Sequence, residues 1–218
     1  MPMRHDRICL FGPDGSGKST LARLLAQYLA RGGYVRISWV RGSHMAASLL
    51  ARFLALFPSM RGFDNPYYGI SIPRSLRPLW WFLEFISVLP NWFFNFIMPG
   101  IYETVIGERG LLDFLVWVCV TTEPGFLRTL WGRATLALAL RHCRNVFIIA
   151  DLGTLIRRKG SEPTARSLPR QWVIYNVLAR ALNLGQVDTG SSAPVQSLIK
   201  LINELNTAKT TPHVLKSS

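Results

Sequence analysis

The sequence predicts an α/β domain organised around a parallel sheet, and three observations carry that expectation. Short apolar runs alternate with longer helical patterns along the chain. The first run, 7–11, breaks into a glycine-rich loop and an amphipathic helix, which opens a strand–loop–helix–strand unit. A length of 218 residues, 49% of them hydrophobic, suffices for one sizeable core, so a single domain is expected over 1–218.

The elements follow in order. Residues 7–11 read as a buried strand and 18–30 as a helix whose apolar side carries Leu21, Leu24, Leu25, Tyr28 and Leu29, ended by Gly32 and Gly33. A second strand at 34–40, rich in β-branched and aromatic residues, precedes a helix over about 43–57. Residues 58–73 are rich in Gly, Pro, Asn and Tyr and read as a surface excursion, after which 76–96 resumes as helix broken near Pro90. A third strand is predicted at 104–107, helices at 111–120 and 127–142, and a fourth strand at 145–150. The apolar 111–120 helix could serve a core or a homodimer. A basic, Pro- and Ser-containing stretch at 154–170 reads as mobile. A helix at 172–184, a short last strand at 186–189, a helix at 194–205 begun by Pro194 and a frayed tail at 206–218 complete the chain.

Charge and cysteine usage narrow the function. A formal charge of +13 favours polyanionic partners such as nucleotides, nucleic acid or acidic lipid. Cys9, Cys119 and Cys143 are odd in number, widely spaced and embedded in apolar segments, which predicts reduced core thiols. The polar start, Met1 to Arg7, has no secretory pattern, and a cytoplasmic location is expected. Residues 85–102 carry no charge over a length near that of a bilayer span, but Pro90, Asn91, Asn95, Pro99 and Gly100 interrupt them. A crossing there would put the glycine-rich loop and Arg109 on opposite faces of a membrane. Core packing or peripheral membrane contact is therefore expected for 80–102, and Trp80, Trp81, Trp92 and Trp131 suit either.

The loop carries the chemistry. Gly12-Pro13-Asp14-Gly15-Ser16-Gly17-Lys18-Ser19 matches G-x-x-x-x-G-K-[ST] between a strand and a helix, the context that identifies a phosphate-binding P-loop. Glycines at 12, 15 and 17 let backbone N–H groups surround phosphate oxygens, aided by the dipole of the following helix. The expected phosphate-binding set is Gly12, Asp14, Gly15, Ser16, Gly17, Lys18, Ser19 and Thr20, with Lys18 on the β- and γ-phosphates of a nucleoside triphosphate and Ser19 on Mg²⁺. Glu108, Arg109 and Asp113 after the third strand, and Asp151 after the fourth, stand at strand ends, where a parallel sheet forms its ligand crevice. Glu108 and Arg109 could hold a magnesium water and a phosphoryl group.

Three segments together resemble the thymidylate kinase-like group of P-loop nucleoside monophosphate kinases. They are Phe11 through Leu21, Val105-Ile106-Gly107-Glu108-Arg109-Gly110-Leu111-Leu112-Asp113, and Val146-Phe147-Ile148-Ile149-Ala150-Asp151 leading into Arg157-Arg158-Lys159. The resemblance spans roughly 7–205. It implies the P-loop NTPase fold, with a five-stranded parallel sheet, helices on both faces and a small basic lid. It also implies ATP as donor, Mg²⁺ as cofactor and a dTMP-like nucleoside monophosphate as acceptor. By the same resemblance Asp14, Arg41, Arg77 and Arg109 face the acceptor, Ser19 and Glu108 place the metal, and Lys18, Arg109, Arg157 and Arg158 act in catalysis. The chain departs from the group in two places. Glu108 stands where the group has Asp, and Val40-Arg41-Gly42-Ser43-His44 replaces Arg-Glu-Pro-Gly after the second strand, so thymine selection is not implied. Two other functions fit the same residues: a P-loop kinase for a different acceptor, or an ATP-binding module that associates with a membrane or with nucleic acid. Nucleic acid is the less expected partner.

Overall fold

The computed structural model of the chain describes residues 6–40 and 45–210. Five strands form a parallel sheet: β1 (Arg7–Phe11), β2 (Val35–Trp39), β4 (Thr104–Arg109), β5 (Arg144–Ile149) and β6 (Gln186–Asp188). A further short strand, β3 (Arg61–Asn65), lies outside the sheet. The sheet order is β2-β4-β1-β5-β6, with Cys9 opposite both Gly107 on β4 and Asn145 on β5. β1 is thus central, and the loop that follows it opens at the carboxyl edge of the sheet, where α/β folds bind ligands.

Period-two alternation on β1 divides the core between the two faces. Ile8 and Leu10, with Ile106, Val146, Ile148 and Val187, pack against α1 (Lys18–Leu29) and α8 (Pro194–Thr210) through Leu21, Leu25, Leu201 and Leu205. Cys9 and Phe11, with Val105 and Phe147, pack on the other face against α3 (Arg77–Trp92), α4 (Leu111–Thr121), α5 (Leu130–His142) and α7 (Leu168–Ala181). Every residue of α4 is buried, so its apolar run serves the core of its own chain. A third cluster joins α2 (Met45–Ala55) to α3 through Ala51, Leu54 and Trp80, and takes in Ile70 and Ile72.

Four expectations are corrected. Residues 58–73 are more than a surface excursion. β3 bridges to Ile70 within a hairpin-like turn, and Asn65 and Ile70 are fully buried. The helix is not broken at Pro90: α3 runs through it to Trp92 and continues into a π-helical turn, Phe93–Ile97. That turn closes with an i→i+5 bond, Met98 N–H to Phe93 O at 2.9 Å.

The third correction concerns the cysteines. Cys9 and Cys143 form a disulfide, and only Cys119 is a free thiol. The pairing arises because β1 and β5 are neighbours, which puts residues 134 apart in sequence at a Cα separation of 6.0 Å. The fourth concerns 154–170, which is largely helical. It forms α6 (Leu152–Lys159), a 3₁₀ turn at Pro163–Ser167 and the start of α7, with Thr154, Leu155 and Leu168 buried.

Candidate active site

α1 starts at Lys18, and the loop before it owes its curvature to glycine. Gly15 and Gly17 have φ of 85° and 83°, a region that strains any residue with a Cβ. A Cβ on Gly12 would stand 2.2 Å from the carbonyl oxygen of Ile148, so this glycine lets β1 and β5 run close where the loop begins. The loop is buttressed from below by Asp113, the third residue of α4. Its Oδ1 accepts from the Gly12 N–H at 3.4 Å and from the Tyr175 hydroxyl at 2.8 Å, and its Oδ2 accepts from the Gly110 N–H at 3.1 Å. Burial pushes the Asp113 carboxyl up and the Tyr175 phenol well up. Gln171 accepts from the Asp14 N–H at 3.3 Å, and Thr189, after β6, donates to the Ser16 carbonyl at 2.8 Å.

The charged groups meet across this loop. The Lys18 ammonium is 4% exposed and donates to the carbonyls of Gly12 at 2.5 Å and Pro13 at 2.8 Å. Burial and the neighbouring Arg109 lower its pKa to about 8, against the opposing pull of Asp113, Asp14 and Glu108. The Ser19 hydroxyl donates to Glu108 at the end of β4. Arg109 forms an ion pair with Asp14. Burial works against the Arg109 charge, but Asp14 and its other anionic neighbours outweigh that effect and raise its pKa. Arg158 reaches in from α6 and donates to the Gly15 and Thr189 carbonyls at 3.0 and 3.1 Å.

These groups border one pocket of about 550 Å³, in the size range of small-molecule sites. Asp14, Gly15, Ser16, Gly17, Lys18, Ser19, Thr20, Glu108, Arg109 and Arg158 line it, so most of the sequence-predicted site is brought together. Gly12 shapes the loop from beneath.

Two expected residues, Arg77 and Arg157, are not at the pocket. Arg77 is ion-paired with Glu123 at the foot of α3, which occupies its charge away from the loop. Arg157 turns back within α6 to donate to the Thr154 hydroxyl at 2.8 Å. Arg41 lies outside the described residues. Asp151 caps α6, accepting from the Thr154 N–H at 2.9 Å, a structural role.

Several pocket residues were not among the sequence-based candidates. Trp39 and Tyr67, 43% and 51% exposed, add aromatic walls, and Glu162 and Thr189 join the rim beside Lys159 of the basic stretch. Trp39 ends β2 and sits at the carboxyl edge by position alone, a signal that was available. Tyr67 comes from the excursion after α2, where no sequence pattern points to the site.

The donors suit a magnesium triphosphate. A curved loop that excludes Cβ atoms, the start of a twelve-residue helix and a buried ammonium match phosphate oxygens. The Ser19 and Glu108 oxygens are the hard donors that Mg²⁺ prefers, one or two from protein and the rest from phosphate and water. The Ser16 hydroxyl is buried without a hydrogen-bond partner.

No protein-family model matches the sequence, and no curated protein matches it at a significant level. Solved structures do match. The thymidylate kinase of Candida albicans superposes with a TM-score of 0.57 at 14% identity, covering 94% of this chain and 93% of that one. A deoxyadenosine kinase from M. mycoides superposes with a TM-score of 0.52 at 13% identity, covering 92% of this chain and 98% of that one. The superpositions cover nearly the whole chain, and the chain therefore has the P-loop α/β fold of these kinases.

Proposed function

We propose that the protein transfers a phosphoryl group from Mg-ATP to a nucleoside monophosphate. The observation that carries this reading is one pocket that joins the P-loop lysine, the Ser19–Glu108 pair and the Arg109–Asp14 pair. A site for holding triphosphate alone requires the first two. The Arg109–Asp14 pair shares the pocket with the aromatic rings of Trp39 and Tyr67 and supplies what an acceptor needs.

In this reading the P-loop amides and Lys18 bind the donor phosphates and hold the transferring group against charge build-up. Bound magnesium supplies charge neutralisation of the phosphate oxygens, with Ser19 and Glu108 as its protein-side donors. Arg109 leaves Asp14 to meet the acceptor phosphate with its planar guanidinium, and Asp14 is freed toward the acceptor sugar. Arg158 turns from the Gly15 carbonyl to the donor phosphates from the α6 side. Trp39 and Tyr67 offer faces on which a base can stack. Catalysis is then positioning plus electrostatics, with no covalent step on the protein. Thymine is one candidate base, supported by the fold likeness to a thymidylate kinase.

The test is acceptor-dependent release of ADP from Mg-ATP across a panel of nucleoside monophosphates and their parent nucleosides. Turnover that requires a monophosphate and disappears in Lys18→Ala is the expected result. Turnover with nucleosides only would move the acceptor from phosphate to hydroxyl. ATP binding without acceptor-dependent turnover would leave a binding module.

A further inference from the structure

α3 and α5 lie side by side on the outside of the sheet. The rings of Phe82 and Phe85 on α3 meet Trp131 near the start of α5 at 5.1 and 5.3 Å, and Trp92 meets His142 at the end of α5 at 5.4 Å. The pair therefore runs parallel over its length, and Trp92 and Trp131, which meet the opposite helix, pack into the core shared with α4. The surface they leave is apolar. Leu79, Phe82 and Ile86 on the outer side of α3 and Phe93 at the start of the π-helical turn recur at helical spacing and are 36% to 49% exposed. On α5, Leu130 is 70% exposed. The helical stretch Arg74–Ile101 is long and apolar enough to cross a bilayer, yet only 28% of its most apolar window is buried within the fold.

Charge accompanies this face. Arg133 and Arg141 are exposed on α5 at positions three and eleven after Leu130, and Arg128 is exposed just before it. The one acidic residue on either helix, Glu84, is fully buried. The face is thus apolar and basic together, with no exposed carboxylate on either helix.

We infer that the α3–α5 face docks on an anionic lipid surface. A second copy of the chain is the weaker occupant, because two-fold pairing of this face would set one arginine row against another with no acid on either helix to answer it. A bilayer rich in anionic lipid answers both features. Its acyl boundary accepts the phenylalanine and leucine side chains, and its headgroup phosphates pair with the arginines. The helices are already folded against the sheet, so docking uses a preformed face and leaves the core intact. A crossing by Arg74–Ile101 is excluded by its packing, since α3 contributes Val88 and Trp92 to the core shared with α4 and α5. The inference is independent of which acceptor the pocket takes.

The experiment is vesicle co-sedimentation of the full chain with phosphatidylcholine alone and with phosphatidylcholine containing about 30 mol% phosphatidylglycerol. Two double variants, Arg133→Glu/Arg141→Glu and Leu130→Ser/Phe93→Ser, change only exposed side chains, and retained Mg-ATP binding reports that they fold. The wild type is expected to partition onto the anionic vesicles and to leave them as salt rises. Each variant should lose about tenfold or more in partition. Equal partition onto both vesicle types, or none onto either, overturns the inference. A dimer that binds no vesicles and is dissociated by Leu130→Ser/Phe93→Ser would assign the face to a second copy instead.

Discussion

In the proposed function, Lys18 makes the nucleotide affinity depend on pH in a calculable way. In the free protein its ammonium is buried under the loop and its pKa is lowered to about 8, by burial first and Arg109 second. A bound triphosphate brings negative charge to the same position and restores the protonated form. The free protein must therefore take up a proton to bind once the pH exceeds about 8. The protonated fraction falls from about nine-tenths at about pH 7 to about one-tenth at about pH 9, so the affinity for Mg-ATP should weaken about tenfold over that interval. Calorimetric titration at constant ionic strength measures this directly. Lys18→Arg, whose guanidinium stays charged throughout, should bind more weakly overall but lose the slope. A flat wild-type profile, or the same slope in Lys18→Arg, would refute the reasoning. The stability of the free fold carries the opposite sign. The folded value lies below the unfolded 10.5, so the unfolded chain binds the extra proton between about 8 and 10.5, and this residue's contribution to stability rises with pH across that window.

Other outcomes follow from the same geometry. Glu108→Gln keeps the hydrogen bond from Ser19 but removes the charge, and should raise the magnesium concentration needed for half-maximal turnover about tenfold or more while ATP binding without metal is unchanged. Tyr175→Phe removes the hydroxyl that donates to Asp113 at 2.8 Å in a fully enclosed site. It should cost roughly 1–3 kcal/mol in chemical denaturation, with the loss reduced at low pH where Asp113 is protonated. The Cys9–Cys143 disulfide closes a loop of 134 residues, and its loss should cost on the order of 4 kcal/mol, read as a fall in Tm for Cys143→Ser. A thiol assay on the denatured, unreduced chain should find one group, Cys119, and a count of three would show that the bond does not form.

Much of this site was legible because its parts are local. The loop, its helix and the Glu108–Arg109 pair are each set within a few residues, and parallel-sheet topology brings strand ends to one edge wherever the strands fall in sequence. What was not legible depends on the neighbours a residue acquires. Nothing around Cys9 or Cys143 reveals that β5 lies beside β1, so the odd count favoured free thiols. Arg77 carries the same charge as the pocket arginines, and only the position of Glu123 shows that it is engaged elsewhere. Pro90 reads as a helix breaker locally, whereas the packing of Val88 and Trp92 on either side of it holds the helix together. The 154–170 stretch is basic enough for a lid, but Leu155 and Leu168 anchor it in the fold, so α6 presents Arg158 at the loop while Arg157 points back to Thr154.

Each cation of the pocket is already partnered by the protein. Lys18 holds two loop carbonyls, Arg109 holds Asp14, Arg158 holds the Gly15 and Thr189 carbonyls and Lys159 holds Glu162. Ligand binding is consequently an exchange of partners, and each exchange sets a protein contact against a phosphate contact. The exchange is unequal across the site. Backbone carbonyls give up Lys18 and Arg158 without leaving a bare charge behind, so the donor side can bind first at modest cost. Arg109 leaves an enclosed carboxylate, Asp14, which then requires a new donor. An acceptor that brings both an anion for Arg109 and a hydroxyl for Asp14 resolves both charges at once, whereas inorganic phosphate or a free nucleoside resolves only one. In the proposed reaction the pair would thereby favour a phosphorylated sugar over either half. Asp14→Asn should relax that preference, raising the KM for the monophosphate and narrowing the gap to molecules that lack the sugar hydroxyl. An unchanged preference in Asp14→Asn would place the selection elsewhere in the pocket.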